Sequence, residues 1–259
     1  MSRPLVLSLF PGIGLLDMAF EQEGFCIVRG PDALWGGDVH RFHPPAGKFD
    51  GVIGGPPCQM FSRLNLLQEH LGRKSRFGNL IPEFERCVHE TQPVWFLMEN
   101  VIDAPSAAVE GYYVTDTVVD NRHVATDSGV GPEQQRRRRF TFGRKDGSSY
   151  AMRLVVEYAV LEAPLRKFAV TGRNAGRTPW QIKRTPPVTG SDGGASLGMT
   201  KYKLPEALVL QGLPADFLDF APFTAQGKLQ AVANGVPLPM GRAVAKAVKR
   251  AMDYELTPS

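Results

Sequence analysis

Short apolar runs that end abruptly in glycine and proline set the strongest limit on the fold of this chain. Leu5 to Phe10 is followed by Pro11-Gly12, and Phe49 to Ile53 is followed by two glycines and two prolines. Runs of this length suit buried strands and are too short to span a membrane. A helical pattern, Leu15 to Glu23, follows the first run. Strands alternating with helices predict an α/β fold whose mostly parallel sheet is covered on both faces.

The alternation continues to about residue 143 and then fails. Further strands are predicted at Phe25 to Val28, Val94 to Met98, Tyr112 to Val119 and Phe140 to Phe142, with a helix at Leu80 to Glu90. From about residue 144 to 199, prolines, glycines and basic residues predict a small irregular lobe. Helices return at Pro205 to Gln211 and from about Met240 to Tyr254. The predicted division is one domain formed by 1–143 and 200–259, and a lobe at 144–199.

Composition favours an ordinary globular protein. The chain has 259 residues, 43% of them hydrophobic, and a net charge of +4, which permits contact with a polyanion without requiring it. Its three cysteines, Cys26, Cys58 and Cys87, form no CxxC pair, so we expect a reducing, cytoplasmic location and no metal site. Cys26 and Cys87 are expected in the core.

Cys58 differs from the other two cysteines because Gly54-Gly55-Pro56-Pro57 precede it. The prolines stiffen the backbone, and the glycines allow it to approach a ligand closely. A buried structural cysteine is the usual interpretation of one thiol, but these neighbours favour a nucleophile. Glu99 follows the next predicted strand and would reach the same carboxyl edge, where open α/β sheets bind ligands. We therefore predict that Cys58 and Glu99 share one site.

A glycine pair, Gly12 and Gly14, lies between the first strand and the first helix. Such a pair forms either a tight turn or a cofactor loop, and here it lacks the third glycine of the dinucleotide fingerprint. Asp32 and Asp38 are placed to bind a ribose and an adenine amino group, with turn-forming aspartates as the alternative.

Four consecutive arginines, Arg136 to Arg139, precede a predicted strand. Strand alternation would send Arg136 and Arg138 to one side and Arg137 and Arg139 to the other, so one pair could face the site. A solvated face or a nucleic-acid patch is the other interpretation. Further basic residues follow Cys58 and occur in the lobe, which gives two candidate phosphate-contacting surfaces.

Together these segments resemble the C5-cytosine DNA methyltransferases, which use S-adenosylmethionine. FPGIG resembles their cofactor loop, GGPPCQMFS their nucleophile motif and MENV their glutamate motif. Gln134, Arg136 and Arg138 match their QxRxR motif. GNL, PEALVLQGLP and QAVANGVP resemble the remaining blocks, in the family's order.

The resemblance implies a Rossmann-like class I methyltransferase with a small target-recognition lobe. Cys58 would add to C6 of a flipped cytosine, Glu99 would hold N3 and the amino group, Arg138 would bind the base carbonyl oxygen or a phosphate, and Arg136 would support Arg138. The cofactor would be lined by Phe10, Gly12, Gly14, Asp32, Asp38, Leu80, Asn234 and Val236. The nucleic acid would be contacted by Gln59, Ser62, Arg63, Arg166 and Arg177.

The implied partner is double-stranded DNA, bound by a monomer of bacterial or phage origin that works beside a cognate restriction endonuclease. Ser8 stands where the family often has an acidic residue, and Ala233 replaces a glycine. Two alternatives remain open: methylation of cytosine in RNA such as tRNA, and a nucleic-acid-binding protein that has lost its activity. A nicotinamide dehydrogenase would explain the glycine loop but would leave Cys58 and Glu99 without a role.

Overall fold

A computed structural model of the protein describes residues 3–57, 78–127, 132, 134–145, 156 and 202–252. Glu99, Arg136, Arg138 and all of the predicted cofactor-lining residues lie inside this part. The predicted site residues outside it are Cys58, Gln59, Ser62, Arg63, Arg166 and Arg177.

The described strands form one six-stranded sheet in the order β2-β1-β3-β4-β6-β5. Their bounds are β1 Leu5–Leu9, β2 Cys26–Arg29, β3 Gly51–Gly54, β4 Trp95–Asn100, β5 Tyr113–Asp120 and β6 Arg137–Arg144. The first four strands are parallel, and β6 runs antiparallel to both β4 and β5. The prediction of a mostly parallel sheet with two added strands at one end is confirmed. The carboxyl ends of β1, β3 and β4 therefore meet the start of β6 at one edge.

Helices cover both faces of this sheet. Their bounds are α1 Leu15–Gln22, α2 Ile81–Thr91, α3 Leu204–Leu210, α4 Ala225–Asn234 and α5 Leu238–Ala251. The sequence pattern did not predict α4, because glycine, glutamine and alanine give it no clear apolar stripe. Its first turn is fixed instead by Thr224, whose hydroxyl accepts a hydrogen bond from the Gly227 amide at 3.1 Å.

The hydrophobic core lies on the two sides of the sheet. On one side Phe20 of α1 and Trp95 of β4 pack with α5, and their rings lie 6.3 Å apart. On the other side Phe84 of α2 meets Phe96 of β4 at 5.9 Å. Any side chain at Gly51 would overlap the Trp95 indole, so the neighbouring strand must carry glycine there. This packing helps to fix the register of β3 against β4, in which Gly54 lies opposite Met98.

The edge strand β2 is more exposed than its sequence predicts. Cys26 was expected in the core, and this expectation is wrong, because the residue is exposed. Residues 30–50 form only two 3-10 turns, Ala33–Trp35 and Val39–Arg41, so no helix in this segment covers β2. Val28 is also exposed for this reason. Cys87 in α2 is buried as expected, and burial raises the pKa of its thiol to about 11.

Two residues bear on the predicted division of the chain. Arg144 closes β6, and Val156 is buried among the core residues that contact α5. Both numbers fall inside the range predicted for the lobe, whose bounds stay a prediction. Among the described residues no helix is long and apolar enough to cross a membrane.

Candidate active site

The ends of β3 and β4 are joined side by side at the carboxyl edge. Gly54 pairs with Met98, which brings Gly55 next to Glu99. A β-carbon placed on Gly55 would lie only 3.1 Å from Oε2 of Glu99. The side-chain amide of Asn100 donates a hydrogen bond from Nδ2 to the Pro56 carbonyl at 3.3 Å. The backbone that leads into Cys58 therefore runs directly beside the Glu99 carboxylate.

Glu99 is a buried carboxylate with a cationic partner. The residue is 8% exposed, and its Oε1 lies 2.8 Å from Nε of Arg138. Burial raises the pKa of the Glu99 carboxyl, while the charges of Arg138 and Arg136 act in the opposite direction. The carboxyl group therefore retains a proton more readily than an exposed glutamate does. Such a group can donate to a ring nitrogen or accept from an amino group.

The four arginines of the run lie in different surroundings. Arg136 is buried, and its Nη2 donates to the carbonyls of Ala233 at 2.6 Å and Gly235 at 3.1 Å. Arg138 pairs with Glu99, whereas Arg139 donates to the Ala104 carbonyl at 2.6 Å. Arg137 is exposed. Three of these four arginines thus hold the protein together, and the run is not simply a solvated face.

Gln211 was not identified as a site residue from the sequence, yet it holds the same backbone as Arg136. Its buried side-chain amide donates from Nε2 to the Val232 carbonyl at 2.8 Å, next to the carbonyls that Arg136 binds. These carbonyls belong to the last turn of α4, where a helix leaves acceptors without intrahelical partners. Asn234 lies between them and is exposed. Arg136 and Gln211 therefore fix the turn that presents Asn234.

The predicted cofactor loop is bent tightly between β1 and α1. Phe10 and Gly12 have φ of 55° and 56°, and Gly14 has φ of 81° where it caps α1. A β-carbon on Gly12 would have no atom within 4 Å, so open space lies against this part of the backbone. At Gly14 a β-carbon would lie 2.8 Å from Nη2 of Arg29. Glycine is thus required at position 14 for two reasons, its backbone angle and its neighbour.

Asp32 and Asp38 both form the hydrogen bonds of turn-forming aspartates. Asp32 accepts from the amides of Gly12 at 2.8 Å and Leu34 at 2.7 Å. Asp38 accepts from the His40 amide at 3.0 Å through Oδ1. Each carboxylate oxygen has a second acceptor position, so these bonds leave room for a ligand. Their ribose and adenine roles stay predictions.

Trp35 closes the outer side of the glycine loop and was not singled out from the sequence. Its indole nitrogen donates to the Gly12 carbonyl at 2.7 Å, and its ring lies 5.4 Å from that of Phe223. The residue is nevertheless 58% exposed. An aromatic ring fixed at both ends and open on one face is suited to stacking on a planar ligand.

Arg86 of α2 holds the segment that carries Asp38. Its guanidinium donates to the Val39 carbonyl at 2.8 Å and the Phe42 carbonyl at 3.1 Å. Glu83 and Glu90 each pair with it at 2.8 Å. The sequence carries no periodic signal for such a contact, because residues 39 and 86 are far apart along the chain.

Ser8 belongs to a buried polar network beneath the glycine loop. Its hydroxyl donates to Oδ1 of Asp17 at 2.5 Å, and Nε of Arg29 lies 2.9 Å from the other oxygen. Asp17 is fully buried, which raises its pKa, and Ser8 and Arg29 oppose that rise. A carboxylate therefore stands beside position 8, although the residue at that position is serine.

The two apolar residues predicted to line the cofactor lie in different surroundings. Leu80 precedes α2, is partly buried and packs against the cluster that contains Phe84. Val236 is buried in the cluster that contains Phe20 and α5. Only Leu80 presents part of its surface to solvent, and the lining role of both side chains stays a prediction.

Comparison with known proteins identifies the family. Residues 37–170, which include Glu99 and Arg136 to Arg139, match the family model described as C-5 cytosine-specific DNA methylase. The chain belongs to this family.

Similar sequences include those of two bacterial methyltransferases. The chain is 30% identical to the Type II methyltransferase M.HgiDI of Herpetosiphon aurantiacus over 65% of its own length and 59% of the relative. It is 32% identical to the Type II methyltransferase M.NgoPII of Neisseria gonorrhoeae over 54% of its own length and 48% of the relative. The chain thus spans about half of these relatives.

Solved structures agree with the methylase fold. The Entamoeba histolytica methyltransferase EhMeth superposes with a TM-score of 0.59 over 100% of both chains, at 14% identity. Spodoptera frugiperda DNMT2 superposes with a TM-score of 0.58 over 96% of this chain and 99% of its own, at 12% identity. At this level of identity the likeness concerns the fold.

Proposed function

We propose that this protein transfers a methyl group from S-adenosylmethionine to carbon 5 of cytosine in double-stranded DNA. The observation that carries the proposal is the buried Glu99 carboxyl, held by Arg138 beside Gly55 in the segment that leads into Cys58. Membership of the C-5 cytosine methylase family supports the same reaction.

The residues at the carboxyl ends of β1 and β2 suit S-adenosylmethionine. Open space beside Gly12 would accept the amino-acid part, and Asp32 and Asp38 supply carboxylates for the ribose and the adenine amino group. Phe10, Gly14, Leu80, Asn234 and Val236 complete the proposed lining. When bound, the cofactor supplies an electrophilic methyl group.

Carbon 5 of cytosine is a weak nucleophile, so the enzyme must first activate the ring. We propose that the Cys58 thiolate forms a bond to C6, which makes C5 enamine-like. A base stacked in a duplex cannot be reached in this way, so it must be flipped out. C5 then forms a bond to the methyl carbon while the methyl–sulfur bond breaks, which leaves a neutral thioether. Water takes the C5 proton, the C5–C6 double bond forms again, and the electrons of the C6–S bond return to the Cys58 sulfur.

Glu99 and Arg138 stabilise the ring during this addition. A protonated Glu99 donates to N3 as negative charge develops there, and its other oxygen accepts from the amino group. The raised pKa of Glu99 favours the protonated form. Arg138 would turn from Glu99 toward the base carbonyl oxygen or a phosphate. Arg136 acts indirectly, because it fixes the Asn234 turn.

The proposed DNA contacts are Gln59, Ser62 and Arg63 after the nucleophile and Arg166 and Arg177 in the lobe. The protein would act as a cytoplasmic monomer in a bacterium or a phage-infected cell. A cognate restriction endonuclease is its proposed partner in the cell, since both relatives are named Type II methyltransferases.

Bisulfite sequencing tests the proposed activity directly. DNA from a methylation-free bacterial host that expresses the chain should contain conversion-resistant cytosines in one short sequence context, and DNA from a Cys58→Ala control should contain none. Complete conversion in both, with folded protein present, would contradict the proposal. Bisulfite analysis of RNA from the same cells would then test the alternative substrate.

A further inference from the structure

We propose that Arg29 binds the carboxylate of the cofactor's amino-acid part and so selects for a cofactor that carries it. This inference rests on the proposed function and adds a residue that the sequence did not indicate.

One nitrogen of the Arg29 guanidinium is held by a buried carboxylate. Its Nε lies 2.9 Å from Oδ2 of Asp17, which is fully buried and held on its other side by Ser8. The side chain of Arg29 is 54% exposed, unlike that of Asp17. Among the described residues no further partner engages its two Nη atoms. The guanidinium therefore has a fixed base and two donors available to a ligand.

The guanidinium lies on the glycine loop itself. A β-carbon on Gly14 would lie 2.8 Å from Nη2 and 3.2 Å from Cζ of Arg29. Gly14 caps α1 at the end of the loop that begins with Phe10. The open space beside Gly12 is in the same loop. A ligand that lies along this backbone therefore passes close to the free side of Arg29.

A carboxylate is the group that matches these donors. The planar guanidinium presents paired N–H groups that fit the two oxygens of a carboxylate. The buried Asp17 carboxylate pairs with Nε, so it does not occupy the Nη atoms. The only carboxylate of S-adenosylmethionine is in its amino-acid part, at the opposite end from the adenine that Asp38 would bind.

The test compares S-adenosylmethionine with its decarboxylated form, which retains the sulfonium, the amine, the ribose and the adenine. Calorimetry on the wild-type chain should show at least tenfold tighter binding of the intact cofactor, the effect expected for a charge-assisted hydrogen bond. Arg29→Gln should remove this preference by weakening only the intact cofactor. Arg3→Gln, which removes the same charge before the amino end of β1, should retain it.

Two further results would overturn the inference. Equal weakening of both ligands by Arg29→Gln would mean that Arg29 only supports the loop. An unchanged preference would exclude contact with the carboxylate. Arg29→Lys, which retains the charge without the paired donors, should show an intermediate preference, and thermal unfolding should show that each variant folds. If the wild-type chain binds neither ligand, the proposed function is contradicted as well. Equal weakening of both ligands, or an unchanged preference, would contradict only the role of Arg29.

Discussion

Nε of Arg138 in β6 lies 2.8 Å from Oε1 of Glu99 in the neighbouring strand β4. This contact lies close to the carboxyl end of β3, which pairs with the other side of β4. The guanidinium charge lowers the pKa of the Glu99 carboxyl against the effect of burial, so moving Arg138 away makes this carboxyl easier to protonate. The chemistry proposed for the site depends on separating the two side chains when a base arrives.

Glu99→Gln should lower the rate of methyl transfer by at least about 100-fold, as expected for the loss of a general acid. An amide cannot give a proton to N3, although it retains the size of the side chain. Single-turnover transfer of a labelled methyl group to duplex DNA would measure the effect. Glu110→Gln, a change at an exposed position, should leave the rate unaltered. Equal rates for both variants would exclude Glu99 from the chemistry.

Gly55→Ala should reduce activity more than stability. The added β-carbon would stand 3.1 Å from Oε2 of Glu99, so the carboxyl group must move by a few tenths of an ångström. Gly51→Ala gives the opposite result, because its β-carbon would overlap Trp95 in the core. Urea unfolding and methylation rates measured on both variants would separate the two effects. Loss of stability in Gly55→Ala equal to that in Gly51→Ala would contradict this prediction.

Arg136→Gln should destabilise the fold by about 2–4 kcal/mol, because the buried Ala233 carbonyl and the partly buried Gly235 carbonyl lose a charged donor. Gln211→Leu removes a neutral donor from the neighbouring Val232 carbonyl and should cost about 1–2 kcal/mol. Denaturant unfolding would measure both values. Arg137→Gln is the matched control, since its exposed side chain should contribute less than about 0.5 kcal/mol. A cost for Arg136→Gln as small as that of the control would contradict the structure.

If the chain binds DNA as proposed, Arg137 is the arginine of the run that is available for a phosphate contact, because no described residue pairs with its side chain. Arg137→Gln should reduce the slope of log affinity against log salt by about 0.9, the value for one phosphate contact. Fluorescence anisotropy with duplex DNA at several salt concentrations would measure the slope. The slope for Arg139→Gln should stay at the wild-type value, since Arg139 is bound to Ala104. A wild-type slope in Arg137→Gln would remove it from the interface.

Asp17 should make the cofactor-free protein less stable as the pH rises. Burial raises its pKa in the folded state, so the folded chain holds a proton that the unfolded chain releases above about pH 4. Stability contributed by this group is present below that pH and is lost as the pH rises toward the folded pKa. In urea unfolding, the free energy of unfolding of the wild-type chain should decline above about pH 4, and Asp17→Asn should make this decline smaller. Asp219→Asn, at an exposed position, should leave the decline unaltered. An unaltered decline in Asp17→Asn would assign it to other groups.

The sequence predicted what depends on local pattern. Apolar runs of the right length predicted the strands. The Gly12–Gly14 turn and the position of Glu99 near the carboxyl end of β4 were also predicted from their neighbours along the chain, although β4 continues to Asn100. Each of these features depends on residues that are close together along the chain, and such local patterns are what side-chain periodicity detects.

The contacts that support the site could not be read in this way. Arg86 binds the carbonyl of Val39, and Gln211 binds that of Val232, across 47 and 21 residues of chain. No periodic pattern specifies such a partner, because the bond is to a backbone atom that every residue possesses. Cys26 was misjudged for a related reason: its exposure depends on the lack of a helix elsewhere, in residues 30–50.

The bond from Arg136 to the Ala233 carbonyl spans 97 residues and ties the two parts of the main domain together from either side of the predicted lobe. Closing a longer or shorter loop between two fixed points changes the chain entropy slowly, by about 0.6 kcal/mol for each doubling of length. A change in the length of the intervening segment should therefore alter the free energy of unfolding only slightly. We expect that segments of other lengths can replace residues 157–201 while Glu99 and Arg138 retain their geometry, provided that the buried Val156 is kept. If the proposed function holds, the preference for a target sequence could then be altered without altering the methyl-transfer chemistry.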